Sequence, residues 1–485
     1  DKNIYYDKAN EFVALKDTYE TEKAVSLIIL NGLKNNTIWD IDYLKYKNID
    51  NIELTSKQLH SFKNICTYNI SILNGFAGSG KSQTISRIIK MLCKNYKSYV
   101  MFAPTGRAAK ILSTYSGKEA STIHRGLGFM PPDVWIFNEE QKLDVDIVIV
   151  DESSMIDIRL FKRLLDAIDF KRTKLLLVGD SSQIPSISAG NVLHDMINSN
   201  IIPMTTLDQI FRYGEGGLMA IATKTRKCEI FLDDKNIQIF GEDKSYVFIN
   251  VNQTMLLNKL EILYKKMIEE QNIDPTDILV LSSYNKGEYG TININKMLQK
   301  IANPIVEIED GLTIGDTTYY PNDLIIQIVN NYKAEIYNAR KQEFIDADEV
   351  FIPNGEMGRI VEISKKGVVI EFDNNTIVYK KEDILNNIKL AYSISTHKSQ
   401  GGSAKYVILL TPKAHTFFLN SNLIYVGQTR TKHKCYHLGE AETVNKGIKI
   451  NSDVNGSLQI MKKVFPNVFT NGIEGVGLHP IRINV

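Results

Sequence analysis

The sequence is poor in cysteine, lacks any long apolar run and carries almost no net charge. Its four cysteines, Cys66, Cys93, Cys228 and Cys435, lie far apart in 485 residues and form no CxxC pair. That spacing excludes a zinc-ribbon site and a disulfide framework, and it fits a reducing cytoplasm. No apolar run approaches the roughly 18 residues that span a bilayer, so no membrane partner is expected. The N-terminal DKNIYYDKAN has neither the basic start nor the apolar core of a secretion signal. The start at Asp1 rather than Met fits a piece of a longer product. Lys+Arg 57 against Asp+Glu 56 leaves a formal charge of +1, which argues against coating of nucleic acid by bulk charge but leaves a local groove open. What is present is ordinary for a globular chain: 43% hydrophobic and 23% charged residues, over a length that predicts two to four domains.

Along the chain, residues 1–50 read as a mostly helical lead-in without catalytic signature. Short apolar strands then alternate with helices. Ser71–Asn74, Tyr99–Ala103, Asp146–Val150 and Lys174–Val178 are near-continuously apolar, as buried parallel strands are. Ile85, Ile88, Ile89 and Leu92 fall on one helical face. This texture predicts a doubly wound α/β domain over 51–212. A second α/β set, with strands Asp277–Leu281 and Tyr406–Leu410, predicts another over 213–442. Inside it, Arg359–Ser364, Val368–Asp373 and Thr376–Lys380 alternate and are joined by a Lys365-Lys366-Gly turn and by Asn374-Asn375. They predict a small antiparallel barrel inserted at 340–388. Pro131-Pro132-Asp133 followed by Val134–Phe137 predicts a short excursion within 126–144. Residues 443–485, rich in Gly and Asn, read as a loosely packed tail.

Gly75-Phe-Ala-Gly78-Ser79-Gly80-Lys81-Ser82 fits G-x-x-x-x-G-K-[ST], and Gln83 follows it into the predicted helix. Glycines let backbone N–H groups curl round phosphate oxygens while the helix presents its positive end. Lys81 is then placed to reach the β- and γ-phosphates of ATP, and Ser82 to ligate Mg²⁺. The strand Ile147–Val150 runs into Asp151-Glu152. Asp151 can hold Mg²⁺ through water, and Glu152 can orient and deprotonate the attacking water. A third strand ends in Gly179-Asp180-Ser-Ser-Gln183, where a glutamine can hydrogen-bond the γ-phosphate. Taken singly, the carboxylate pair is a solvated strand end and Gln183 a loop residue; their order after a phosphate loop favours chemistry.

The ordered blocks GFAGSGKS, APTGRAAK (103–110), TIHRGLG (122–128), VIVDESSM (148–155), VGDSSQIPS (178–186), QIFR (209–212), STHKSQGG (395–402) and YVGQTRTK (425–432) resemble superfamily 1 helicases of the RecD type, and phage Dda-type helicases are similar. The resemblance spans roughly residues 50–440. It implies two RecA-like P-loop domains with ATP between them and single-stranded DNA across both. It implies that Gln58 reads adenine, that Gly402 belongs to the nucleotide site, and that Arg212 and Arg430 reach the γ-phosphate. It places Thr105, Arg107, Thr122, His124, Thr396 and His397 along the DNA path. It likens the 126–144 excursion to a duplex-splitting β-hairpin pin carrying Trp135 and Phe137, and the 340–388 insertion to an SH3-like barrel. Where many members carry an acidic residue that meets the ribose, this chain has Ser403.

Each residue has a plainer reading. Arg212 or Arg430 alone reads as a surface ion-pair residue, His124 and His397 as packing residues, and Trp135 and Phe137 equally as core filler or as a stacking wedge. The whole set implies an ATP-driven DNA helicase, with 5′→3′ travel resting on resemblance alone. Its expected partners are single-stranded DNA, duplex junctions, and single-strand-binding, repair or replication proteins. The competing reading is a nucleic-acid-binding switch in which ATP controls recruitment without processive movement. A nuclease–helicase finds no carboxylate cluster outside the motor.

Overall fold

The computed structural model describes residues 4–7, 12–34, 36–49, 52–209, 217–307, 311–338, 343–344, 350–364, 367–373 and 375–450. Arg212, the Lys365-Lys366 turn, Asn374 and residues 451–485 of the expected tail lie outside the described residues. The chain divides between residues 212 and 213 into two compact units.

The first unit opens on an antiparallel hairpin, Ile4–Asp7 against Phe12–Leu15, ahead of the helix Lys16–Lys34. The lead-in is therefore less helical than its sequence suggested. Its aromatic and β-branched residues favour paired strands over a first helical turn. In the helix, Val25 and Ile29 are buried one turn apart. A Cβ on Gly32 would sit 3.0 Å from Ile70 Cδ1 and from the Phe170 ring, so glycine lets this helix close on the sheet.

That sheet has six strands in the order Met204–Leu207, Ile70–Gly75, Lys174–Gly179, Ile147–Val150, Tyr99–Ala103 and Ser121–Thr122, all parallel. Alternate side chains enter two separate cores. Ile70, Ile72, Val148, Val150, Leu175 and Leu177 face Phe161 and Leu164 of the helix Ile158–Asp166. Leu73, Ile147, Ile149, Leu176 and Val178 face Ile85, Ile88 and Leu92 of the helix Lys81–Lys94. Burial on both faces is why these strands read as unbroken apolar runs.

The second unit carries another six-stranded sheet, in the order Ile237–Phe240, Tyr246–Asn250, Thr431–Gly439, Ala404–Thr411, Ile278–Ser282 and Ser393–Ser395. Only the Ile237–Phe240 edge is antiparallel. The chain thus folds as two RecA-like α/β domains. Between Ile278–Ser282 and Ser393–Ser395 lies a five-stranded antiparallel sheet in the order Asn375–Tyr379, Val368–Phe372, Met357–Ile363, Leu324–Gln327 and Ile388–Leu390. The insertion therefore starts well before residue 340. Leu324–Gln327 is buried throughout, so it shows no alternation by which sequence could assign it to an antiparallel sheet.

Asp323 ties this insertion to the α/β core. Fully buried, its carboxylate accepts from Gln299 Nε2 (2.6 Å), Tyr320 N (2.8 Å), Asn303 Nδ2 (2.9 Å) and Tyr392 Oη (2.9 Å). These donors come from the helix Thr291–Ala302 and its end, and from the segments entering and leaving the insertion. The tail differs from expectation too. Residues 443–449 belong to the helix Ala441–Lys449, whose Val444 and Ile448 are buried at i, i+4 spacing. Among the described residues, no helix is long and apolar enough to cross a membrane.

Candidate nucleotide site and nucleic-acid face

The phosphate loop leaves the Ile70–Gly75 strand and enters the Lys81–Lys94 helix directly after Gly80. Gly78 and Gly80 have φ of +77° and +86°, the left-handed region where a side chain is strained. A Cβ on Gly75 would lie 2.7 Å from Ser79 Oγ and 2.8 Å from Lys81 Cγ, so only glycine lets the loop curl this tightly. Lys81 Nζ donates back to Gly75 O, and to Phe76 O at 3.3 Å. Ser82 and Gln83 form the first helical turn, whose unpaired N–H groups favour anions. Ser79 is 1% exposed, and its hydroxyl has no partner among the described residues.

Gln58 is buried behind this loop. Its Oε1 accepts from Thr55 N (3.0 Å) in a capping box that starts the helix Ser56–Thr67. Its Nε2 donates to Thr84 Oγ1 (3.1 Å), and Thr84 in turn donates to Gly80 O (2.8 Å). Both ends of the amide are thus engaged, one with a helix start and one with the phosphate-loop helix.

Strand order brings the other groups to the same edge. Val178 and Gly179 pair with Leu73 and Asn74, while Val150 pairs with Leu177, so the three strands end side by side. Asp151 and Glu152 follow one of them. Tyr115 Oη donates to Asp151 Oδ2 at 2.6 Å, and Glu152 N donates to Asp151 Oδ1 at 2.8 Å. Burial raises the Asp151 carboxyl above the usual carboxylate range, although both hydrogen bonds and the Lys81 charge pull it down. Burial and the Asp151 charge hold the Tyr115 phenol far above its ordinary value, so it remains a donor. Ser82 also hydrogen-bonds Tyr115, which puts the Ser82 hydroxyl and the Asp151 carboxylate around one phenol. A serine hydroxyl beside a carboxylate is a hard-oxygen set that fits Mg²⁺. Glu152 has φ +51°, a conformation costing roughly 1–3 kcal/mol in a residue with a side chain.

The third strand leads to Asp180 and Gln183. Asp180 is fully buried and accepts from Ser182 N (2.9 Å), while Gln183 N donates to Asp180 O (3.1 Å). Ser181 N donates to Asn74 Oδ1 (3.1 Å), tying this turn to the phosphate-loop strand. A Cβ on Gly179 would meet Ser153 Oγ at 2.7 Å, so glycine also sets how closely this strand approaches the Asp151 turn. Lys81, Ser82, Asp151, Glu152 and Gln183 therefore share one edge of the first unit.

The expected DNA positions form a second group in that unit. Thr105 caps the helix Gly106–Ser116 by accepting from Ala108 N (3.2 Å), with Arg107 in its first turn. Thr122, 5% exposed, caps Ile123–Gly126 through Arg125 N (3.2 Å). The His124 ring lies 5.5 Å from Phe129 and 5.4 Å from Trp135, and partial burial lowers its pKa.

The 126–144 excursion contains a short antiparallel hairpin, Phe129–Met130 against Val134–Trp135. Trp135 packs on Phe129 (4.7 Å), lies under Arg163 (5.7 Å) and donates from Nε1 to Asp133 (2.8 Å). With Phe137 it leans on the core of the unit. The apolar side chains that the hairpin exposes are Met130, Val134 and Ile136, at 48%, 52% and 44%. Sequence reasoning singled out the aromatics because large rings dominate such a segment, and it passed over these three. Tyr115 was missed as well, since a lone helical tyrosine carries no motif.

In the second unit, Thr396 is fully buried, and its N donates to Ser282 O (3.1 Å). Ser399 Oγ donates to Thr396 O (2.6 Å), and burial lowers the His397 pKa. Arg430, 6% exposed, ends the helix Ser421–Thr429 and donates from Nη1 to Gly402 O (3.3 Å), so two of the expected nucleotide residues are brought together.

Two family models match this chain: the AAA domain over residues 53–230 and the UvrD-like helicase C-terminal domain over 390–437. The ATP-dependent RecD2 DNA helicase of Deinococcus radiodurans is 26% identical over 388 residues, 80% of this chain and 49% of that protein. The RecBCD enzyme subunit RecD of Buchnera aphidicola subsp. Acyrthosiphon pisum is 28% identical over 435 residues, 75% of this chain and 69% of that protein. A crystal structure of the Pif1 helicase from Candida albicans covers 84% of this chain and 100% of its own at 16% identity, with a TM-score of 0.49. The chain spans about half the length of the Deinococcus relative. The chain is thus similar to RecD-type helicases over three quarters or more of its length, and it carries both matched domains.

Proposed function

We propose that this chain is an ATP-driven DNA helicase that moves 5′→3′ along single-stranded DNA and opens duplex ahead of it. The observation that carries the reading is the phosphate loop beside two strand ends that deliver Asp151-Glu152 and Gln183. Lys81 and the loop N–H groups bind the phosphates, Gln58 and Gly402 contact the rest of the nucleotide, and Gln183 reads the γ-phosphate. Ser82 and Asp151 would hold Mg²⁺, which would supply positive charge against the phosphates. Glu152 orients and deprotonates the attacking water. Arg212 and Arg430 meet the γ-phosphate in a closed state, where such arginines contribute about 10³–10⁵ in rate. Loss of that phosphate removes the charge that held them, and the cycle reopens. Thr105, Arg107, Thr122, His124, Thr396 and His397 grip the strand, and the 126–144 hairpin separates the duplex.

Support comes from the strand order, the ordered motifs and the names of the relatives. The competing switch reading differs in one measurable respect. A motor's ATPase is strongly stimulated by single-stranded DNA, and it unwinds a duplex with a 5′ overhang but not a 3′ overhang. A slow ATPase indifferent to DNA favours the switch, and the opposite overhang preference overturns the polarity.

A further inference from the structure

At the carboxyl edge of the second sheet, two loops bring aromatic rings together, and a third begins with Thr396. The Ile278–Ser282 strand leads to Tyr284, and the Ala404–Thr411 strand leads to His415, Phe417 and Phe418. Tyr284 lies 4.3 Å from the His415 ring and 4.8 Å from Phe418, edge-on to the latter, and Phe417 is 5.4 Å from Phe418. Neighbouring parallel strands Ile278–Ser282 and Ser393–Ser395 put Thr396 at the same edge, through the bond from Thr396 N to Ser282 O.

Two features of this cluster are unusual for a core. Phe417 and Phe418 are each 46% exposed, although Phe418 packs on Tyr284, which in turn packs on the buried His415. At the same edge, Thr396 Oγ1 and His415 Nδ1 are buried and have no hydrogen-bond partner among the described residues; the two residues are 0% and 5% exposed. A buried polar atom without a partner costs about 1–3 kcal/mol, so two of them beside exposed rings mark a surface formed for a ligand. The ligand chemistry follows from the setting. The loops carry Lys286, Lys398 and Lys413 against a single Glu288, which favours a polyanion. Flat exposed rings beside a cationic rim and unpaired polar atoms suit bases strung on phosphates. The carboxyl edge of a parallel sheet is also where such folds bind ligands.

We propose that Phe417 and Phe418, backed by Tyr284 and His415, form a stacking platform for bases of single-stranded DNA. The strand is then held in the second unit through base faces as well as phosphates. This deepens the helicase reading and rests on it.

Phosphate contact depends on salt and stacking does not, which separates the two contributions. The test compares the full chain with Phe417→Ala/Phe418→Ala in binding oligo(dT) and an abasic strand of equal length and charge, across a salt series. The variant should bind oligo(dT) about 5- to 100-fold more weakly, bind the abasic strand as the parent does, and keep the parent's salt slope. Phe417→Tyr/Phe418→Tyr, which retains both ring faces, should restore oligo(dT) binding. Equal loss on both strands, no loss on oligo(dT), or a tyrosine variant that stays weak while melting normally overturns the platform. A parent chain that binds neither strand overturns the helicase reading instead.

Discussion

The hydroxyl of Tyr115 donates a 2.6 Å hydrogen bond to Asp151 and shares its surroundings with Ser82. A residue outside every motif therefore fixes the rotamer of the carboxylate expected to meet Mg²⁺. Tyr115→Phe removes a hydrogen bond to a charged group, a change worth about 1.5–3 kcal/mol. Expected is a fall in kcat of about 10-fold or more with a raised Mg²⁺ requirement, together with a melting temperature lowered by several degrees. Steady-state ATPase titrated with Mg²⁺ checks it; unchanged Mg²⁺ dependence would remove Tyr115 from the site.

The hairpin's rings pack inward, while Val134 and the neighbouring Ile136 are exposed. Val134→Ser/Ile136→Ser alters side chains that are exposed, so stability should stay within about 0.5 kcal/mol. Unwinding of a forked duplex should drop while DNA-stimulated ATPase persists. Trp135→Ala should instead cost on the order of 2 kcal/mol, because its ring packs on Phe129 and under Arg163. Unwinding that survives the Val134→Ser/Ile136→Ser substitutions refutes the wedge assignment.

Lys174 gives a pH-dependent prediction. Only 1% exposed, it donates from Nζ to Tyr68 O (3.0 Å), Cys66 O (3.4 Å) and Thr37 O, and lies 4.9 Å from the Trp39 ring. Burial lowers its pKa to about 8, with the Lys97 charge acting the same way and Cys66 opposing. An unfolded lysine titrates near pH 10.4, so between about pH 8 and 10 the unfolded chain binds the extra proton. Stability from this group therefore rises with pH across that window and is constant below it. Relative to Lys174→Met, the parent's melting temperature should gain between pH 8 and 10. Parallel curves for the two proteins would sink the argument.

Asp323 makes the insertion's attachment testable. Asp323→Ala leaves the donors of Gln299, Asn303 and Tyr392 buried without their acceptor, which predicts a loss of more than about 3 kcal/mol. Asp323→Asn keeps an acceptor oxygen and should lose less. Chemical denaturation of both variants reads the difference, and equal losses would point to the charge rather than to the hydrogen bonds.

The sheets were legible because buried parallel strands are continuous runs, and Ile147–Val150 or Lys174–Gly179 needed no partner to be recognised. The phosphate loop was legible because its glycines answer to local backbone geometry. Tyr115 was not, since its place beside Asp151 and Ser82 arises only when the strands leading to them join one sheet, with Lys174–Gly179 between them. Leu324–Gln327 was passed over for a related reason: burial on both faces erases the alternation that marks an antiparallel strand. Val444 and Ile448 were lost in a composition reading, because two residues one turn apart are diluted by the Gly and Asn around them.

Arg430 carries one further consequence. A surface arginine wanders among many rotamers, and ordering it costs up to about 2 kcal/mol. This one is 6% exposed and already bonded to the Gly402 carbonyl. Its conformational freedom was surrendered when the second unit folded. Whatever anion it meets afterwards is met by a guanidinium that no longer has to be searched into place.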